Sequence, residues 1–263
     1  MPNGLVRYAR DERGVATIEL CNPPANTYSV EMMRDLDEAI LEARFDDDCH
    51  VLLLIGAGPK FFCAGADIAR LERVTPRYKY YFCLHANETM LRLEHTSKLV
   101  IAALEGHCVG GGLEIALAAD LRVAARGTGK VGLPEVSLGV LPGTGGTQRL
   151  ARLLGKARAM ELMVEGTLVD YDRALELGLV THVWEAEGFL ERARDYAASF
   201  CPPARASLAV GHVKRAVQTG LEVGLEQGLA LERELQQRLF TSADAAEGIA
   251  AYVQKRKPQF QGR

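Results

Sequence analysis

Glu114 and Glu135 are the residues whose settings fit a purely structural role least well. Glu114 lies in Gly106-His107-Cys108-Val109-Gly110-Gly111-Gly112-Leu113-Glu114-Ile115-Ala116-Leu117, a carboxylate in the first turn of an otherwise apolar helical pattern. Burying it without partners costs on the order of several kcal/mol or forces it to keep its proton. A glutamate turned to solvent is the plainer alternative, and Leu113, Ile115, Ala116 and Leu117 around it weigh against that. Glu135 follows Pro134 in Gly132-Leu133-Pro134-Glu135-Val136-Ser137-Leu138-Gly139, again a lone acid among apolar and glycine residues. That setting suits a carboxyl group with a raised pKa. Two such acids facing one pocket can divide acid and base duties over a single water.

Backbone chemistry accompanies the acids. Gly110, Gly111 and Gly112 run into the apolar helix and leave bare N–H groups at its N-terminus, where the dipole favours developing negative charge. This is the outline of an oxyanion hole. Close helix packing explains Gly110 or Gly112 singly, but not three glycines together. In Phe61-Phe62-Cys63-Ala64-Gly65-Ala66-Asp67-Ile68 three small side chains in a row also uncover backbone donors, and a tight turn packed on a strand explains that segment equally well. Gly56-Ala57-Gly58 has Phe61 where a dinucleotide loop needs its third glycine. Phosphate-loop, HExxH and nucleophile-elbow patterns are absent.

Elements must hold these residues in place. Leu5 to Arg10 and Val15 to Leu20 are β-type runs joined by a turn at Asp11-Glu12-Arg13-Gly14, so a hairpin is expected first. Ser29 can cap a helix with apolar positions Met32, Met33, Leu36, Ala39, Ile40 and Ala43. Val51 to Ile55 and Leu99 to Leu104 are unbroken apolar runs that suit strands buried on both faces. Each leads through a glycine-bearing loop to a helical pattern, and Leu121 to Ala125 repeats the arrangement with Gly143-Thr144-Gly145-Gly146 further on. An α/β core follows, with its site at the loop ends. From about Leu150 the pattern is mainly helical, and its stripe Leu221, Leu225, Leu229 and Leu235 reads as packing on the core, on a neighbouring subunit or on both. The chain is expected to divide into a core, residues 1–200, and a helical region, residues 201–263.

Composition narrows the function classes. A net charge of −3 exerts no overall pull on polyanions, so nucleic acid is not the default partner. Apolar residues make up 48% and charged residues 25%, ordinary for a globular protein. The chain shows no leader-like or membrane-spanning run, and a cytoplasmic location is expected. Six scattered cysteines, Cys21, Cys49, Cys63, Cys83, Cys108 and Cys201, read as reduced thiols, with no zinc spacing among them. Of 26 glycines, 14 fall between Gly56 and Gly146, which marks where backbone approaches something closely.

Taken together, FCAGADI at Phe62 to Ile68, GGGLEIALAADLRVA from Gly110 and GLPEVSLGVLPGTGGTQRL from Gly132 resemble the motifs of the crotonase (enoyl-CoA hydratase/isomerase) family, in order and at matching spacing. The likeness extends over nearly the whole chain, to the end around Glu247-Gly248 and Gln254 through Pro258. It implies an α/β spiral of ββα units with a helical C-terminal trimerisation region, and a homotrimer or a dimer of trimers. It implies an acyl-CoA thioester as substrate, held by the N–H groups of Ala64 and Gly111, with Glu114 and Glu135 acting on water and on C2. Gly143 matches a position that orders the water. Ala66, Asp67 and Ile68 match the adenine side of the CoA site, and Lys255 matches a phosphate contact supplied by this or a neighbouring subunit. A basic helix end at Lys255-Arg256-Lys257 is otherwise usually solvated.

No cofactor or metal is implied, since coenzyme A is part of the substrate. Val131 departs from an aromatic residue frequent in the family, and the tail around Gln236 lacks an evident adenine contact. The acid pair favours reversible hydration of a 2-enoyl-CoA. The segment around Glu114 resembles the 3-methylglutaconyl-CoA hydratase branch, which leaves a branched or carboxylated acyl group open beside a short straight one, in fatty acid or branched-chain amino acid metabolism. An isomerase of the same fold and a non-turning-over CoA-ester or RNA-binding relative are the alternatives. Tyr78, Tyr80, Tyr81, Phe82 and His85 are expected to form either an aromatic packing cluster or a wall of the acyl pocket.

Overall fold

A computed structural model describes residues Met1–Arg263. Strands β1 (Val6–Arg10), β2 (Val15–Leu20) and, after helix α1 (Val30–Phe45), β3 (Val51–Gly56) belong to a six-stranded sheet, whereas β4 (Phe61–Cys63) opens a second sheet of four strands. Helices α2 (Ile68–Leu71) and α3 (Pro76–Glu94) lead to β5 (Leu99–Leu104) in the first sheet, and β6 (His107–Val109) in the second runs into α4 (Gly111–Leu117). β7 (Leu121–Ala125) and β8 (Lys130–Gly132) repeat the step, followed by a 3-10 turn at Glu135–Leu138 and α5 (Gly146–Leu154). Then come α6 (Lys156–Glu165), β9 (Val169–Asp170), α7 (Tyr171–Glu176), β10 (His182–Trp184) and α8 (Phe189–Ala198). The C-terminal helices are α9 (Ser207–Gly220), α10 (Leu225–Phe240) and α11 (Ala243–Val253).

Each of three successive repeats thus places one strand in each sheet and then crosses over, giving the orders β1-β2-β3-β5-β7-β10 and β4-β6-β8-β9. The pairs β2·β3, β3·β5 and β5·β7 are parallel, as crossover connections require, and only the opening hairpin β1·β2 and the pair β8·β9 are antiparallel. The expected hairpin and buried runs are therefore present. Along β3, Leu52 and Leu54 join the larger core cluster, while Val51, Leu53 and Ile55 join a second one beneath α8, so both faces are covered. Ser29 caps α1 by accepting the Met32 N–H at 3.3 Å.

The region after Leu150 is mainly helical, as expected, and β9 and β10 add edges to the two sheets; β10 has three residues and too short an apolar run to signal a strand. Along the stripe on the C-terminal helices Leu235 is buried within the chain, while Leu221 and Leu225 are 79% and 78% exposed. α9 docks on the core through a pair between the buried Lys214 and the part-buried Asp120, with Nζ 2.9 Å from Oδ2. No helix is long and apolar enough to cross a membrane.

Candidate active site

Three loops from successive repeats meet around a pocket of about 540 Å³, whose lining includes Tyr28, Ala66, Gly111, Glu114, Glu135 and Gly143. Every residue of α4 is buried, so the helix that carries Glu114 runs inside the protein and the carboxylate is only 1% exposed. Such a group needs donors. Oε1 accepts the N–H of Thr144 at 2.8 Å and that of Gly146, the first residue of α5, at 2.7 Å. Oε2 accepts the Thr144 hydroxyl. A Cβ on Gly146 would lie 3.0 Å from Oε1, so the glycine lets the α5 N-terminus close on the carboxylate.

Glu135 has the opposite surroundings. It opens the 3-10 turn, half-buried, and its Oε2 is enclosed without a hydrogen-bond partner. Burial pushes its pKa up to about 7; its own backbone N–H counters this in part, and the negative charge of Glu114 adds to the rise. Oε1 lies beside Gly110, where a Cβ would come within 2.9 Å of it. Both acids line the same pocket, one held by three donors and the other short of them.

Two backbone N–H groups beside the pocket are free of backbone acceptors, and one of them is not the residue expected. Gly111 is the first residue of α4, so its N–H has no acceptor in a preceding turn. Gly65, at φ +83°, stands across from it, and a Cβ there would lie 2.8 Å from the Gly111 nitrogen. Ala64, expected to be the second donor, is corrected: its N–H donates to the Ala25 carbonyl at 3.0 Å. The segment before α1 consumes that donor, helped by buried Asn26, whose amide donates to the Phe61 carbonyl at 2.8 Å. The N–H of Ala66 has no backbone acceptor, and Ala66 lines the pocket, so it is the free donor of this loop. Nothing in local composition separates Ala64 from Ala66.

Gly143 lines the pocket and its N–H is likewise free of backbone acceptors. Ile68 lines it too, half-exposed at 53%. The Asp67 carboxylate caps α2, accepting the Arg70 N–H at 3.3 Å, and does not line the pocket. Lys255, exposed just beyond α11, is outside the lining of this chain's pocket. Of the aromatic residues on α3, Tyr80 and Tyr81 are 65% and 54% exposed, and none of the group faces the pocket. α3 contributes Pro76 and Lys79 instead, while Phe82 stacks under Tyr28 with ring centroids 5.3 Å apart. Tyr28 and Thr144 had no signal in the sequence beyond an aromatic residue before a helix cap and a threonine among glycines.

A spiral of paired-sheet repeats with a glycine-lined pocket at its loop ends is the crotonase class of architecture. It superposes on the enoyl-CoA hydratase structure from Geobacillus kaustophilus HTA426 with a TM-score of 0.95, at 45% identity, over 98% of this chain and 97% of that one. The model of the enoyl-CoA hydratase/isomerase family matches residues 10–263, and the chain belongs to that family. It is 35% identical to the short-chain-enoyl-CoA hydratase of Clostridium acetobutylicum, covering 94% of each protein. It is also 35% identical to the enoyl-CoA isomerase/hydratase fer4 of Mycosarcoma maydis, over 95% of this chain and 93% of that one.

Proposed function

We propose that the chain catalyses the reversible addition of water to a 2-enoyl-CoA, giving a 3-hydroxyacyl-CoA. The observation that carries this is the contrast between the two carboxyl groups on one pocket: Glu114 takes three donors, whereas Glu135 has an unpartnered oxygen and a pKa of about 7. A carboxylate offers about four acceptor sites, so Glu114 has one left, on Oε2, for a water O–H. Glu114 takes a proton from that water as its oxygen bonds to C3. The C2–C3 π pair moves into the thioester enolate, whose negative oxygen is met by the N–H groups of Ala66 and Gly111. Glu135 in its acid form then gives its proton to C2. The proton left on Glu114 returns to Glu135 through solvent, which restores the starting state. Gly143 offers a further N–H to the water.

The second reading, transfer of a proton between C2 and C4 by one carboxyl group, is favoured by the dual activity in the fer4 name. The assay is loss of enone absorbance on adding the protein to crotonyl-CoA, with Glu114→Gln and Glu135→Gln beside the wild type. Hydration that drops at least a hundredfold in each variant, with CoA-ester binding retained, is the expected result; near-normal turnover in either variant overturns it. For the acyl group, the finer reading is a short chain that is branched or ends in a carboxylate, as in 3-methylglutaconyl-CoA. Lys79 on the pocket wall supports it by supplying a cation. A turnover screen across straight, branched and carboxylated esters decides. A homotrimer or dimer of trimers is the companion proposal, supported by the bare stripe at Leu221 and Leu225 and checked by light scattering.

A further inference from the structure

Tyr28 is 2% exposed, and its hydroxyl lies 3.2 Å from Thr144 Oγ1, itself in a residue only 1% exposed. Thr144 Oγ1 has a single proton, which it donates to Glu114 Oε2. Its remaining capacity is to accept, so the Tyr28 O–H must be the donor between the two. Burial, and after it the charge of Glu114, raises the pKa of Tyr28 well above the ordinary phenol range, which keeps that proton in place. The ring cannot easily turn away: it lies parallel to Phe82, with 2° between the planes. The Tyr28 backbone N–H is also tied to the Gly65 carbonyl at 2.9 Å, in the loop that supplies the Ala66 donor. From the opposite side Arg149, paired twice with Glu94 at 2.7 Å, donates to the Thr144 carbonyl at 3.2 Å.

We propose that Tyr28 is a positioning residue for the reaction: by donating to Thr144 it fixes the direction of the threonine O–H, and thereby which acceptor site of Glu114 Oε2 remains for the reacting water. The inference rests on the hydratase reading of Glu114. Without the phenol, Thr144 Oγ1 is free to rotate among acceptors, and Glu114 samples orientations in which the water is misdirected. The effect belongs to the chemical step and not to ester binding.

The experiment is steady-state hydration of crotonyl-CoA by wild type, Tyr28→Phe, Thr144→Val, Thr144→Ser and the double variants Tyr28→Phe/Thr144→Val and Tyr28→Phe/Thr144→Ser, with Glu114→Gln as reference. Tyr28→Phe keeps the stacked ring and should lower kcat about three- to tenfold, the effect of one hydrogen bond, with KM within about twofold. Thr144→Val should lower kcat further, and adding Tyr28→Phe to it should cost nothing more, because the route from Tyr28 to Glu114 is already cut. In Thr144→Ser, which keeps the hydroxyl, the Tyr28→Phe loss should return. Wild-type kcat in Tyr28→Phe, an undiminished loss in the Thr144→Val background, or a rise in KM at constant kcat overturns the inference. If any of these occurs while Glu114→Gln is inactive, only the role of Tyr28 falls. If Glu114→Gln keeps turning over, the hydratase reading falls and takes this one with it.

Discussion

Replacing Glu135 by glutamine should stabilise the protein at pH 8 while stopping the reaction. The carboxyl group is raised from 4.5 to about 7 by burial and by Glu114, so the folded state holds its proton over a range where the unfolded chain has released it. A group of this sign contributes stability that is fully present below 4.5 and lost as pH climbs through 7. Each pKa unit corresponds to about 1.36 kcal/mol, which gives roughly 3 kcal/mol for an enclosed group. Glu135 is only half-buried and faces an open pocket, so solvent screening reduces this to about 1–2 kcal/mol. Glutamine has the same shape and no charge to desolvate. Urea denaturation of wild type and Glu135→Gln at pH 5 and pH 8 measures the effect. The variant's advantage should grow by about 1–2 kcal/mol between the two pH values. An advantage that is equal at both, or a variant less stable at pH 8, would refute the argument that charging this group is what the fold resists.

Wild-type kcat for hydration should fall about tenfold per pH unit above pH 7, because the acid form of Glu135 is the reactive one; a flat profile to pH 9 would assign the C2 proton to another donor. Gly65→Ala should reduce kcat/KM about a hundredfold, since the added methyl lies against the Gly111 N–H and blocks the cradle. Its stability should fall as well, by about 2 kcal/mol or more, from the positive φ and the close backbone contacts, so unchanged turnover in a folded variant would count against the cradle. Lys214→Met should cost about 2–4 kcal/mol in urea denaturation, because the part-buried Asp120 loses its cation and the Leu93 and Lys98 carbonyls lose a donor. A loss below about 1 kcal/mol would show that this pair does not fasten α9 to the core.

Periodicity and local composition sufficed for much of the architecture. The apolar runs of β3 and β5, the Ser29 cap, the glycines leading into α4 and the two isolated acids are all properties of short stretches, and each short stretch constrains its own backbone. The same local view could not find β10, whose pairing with β7 depends on where the chain returns after α7. Nor could it distinguish Ala64 from Ala66, two small residues flanking one glycine. Their roles diverge only because the Ala25 carbonyl arrives beside one N–H and not the other. The contrast between the two acids likewise arises between distant segments. Glu114 meets donors 30 and 32 residues away, and Tyr28 reaches Thr144 across 116 residues. Sequence set which groups with reactive potential the chain carries, whereas hydrogen-bond partners and burial, which decide how those groups behave, are created when remote backbone segments come together in the folded core.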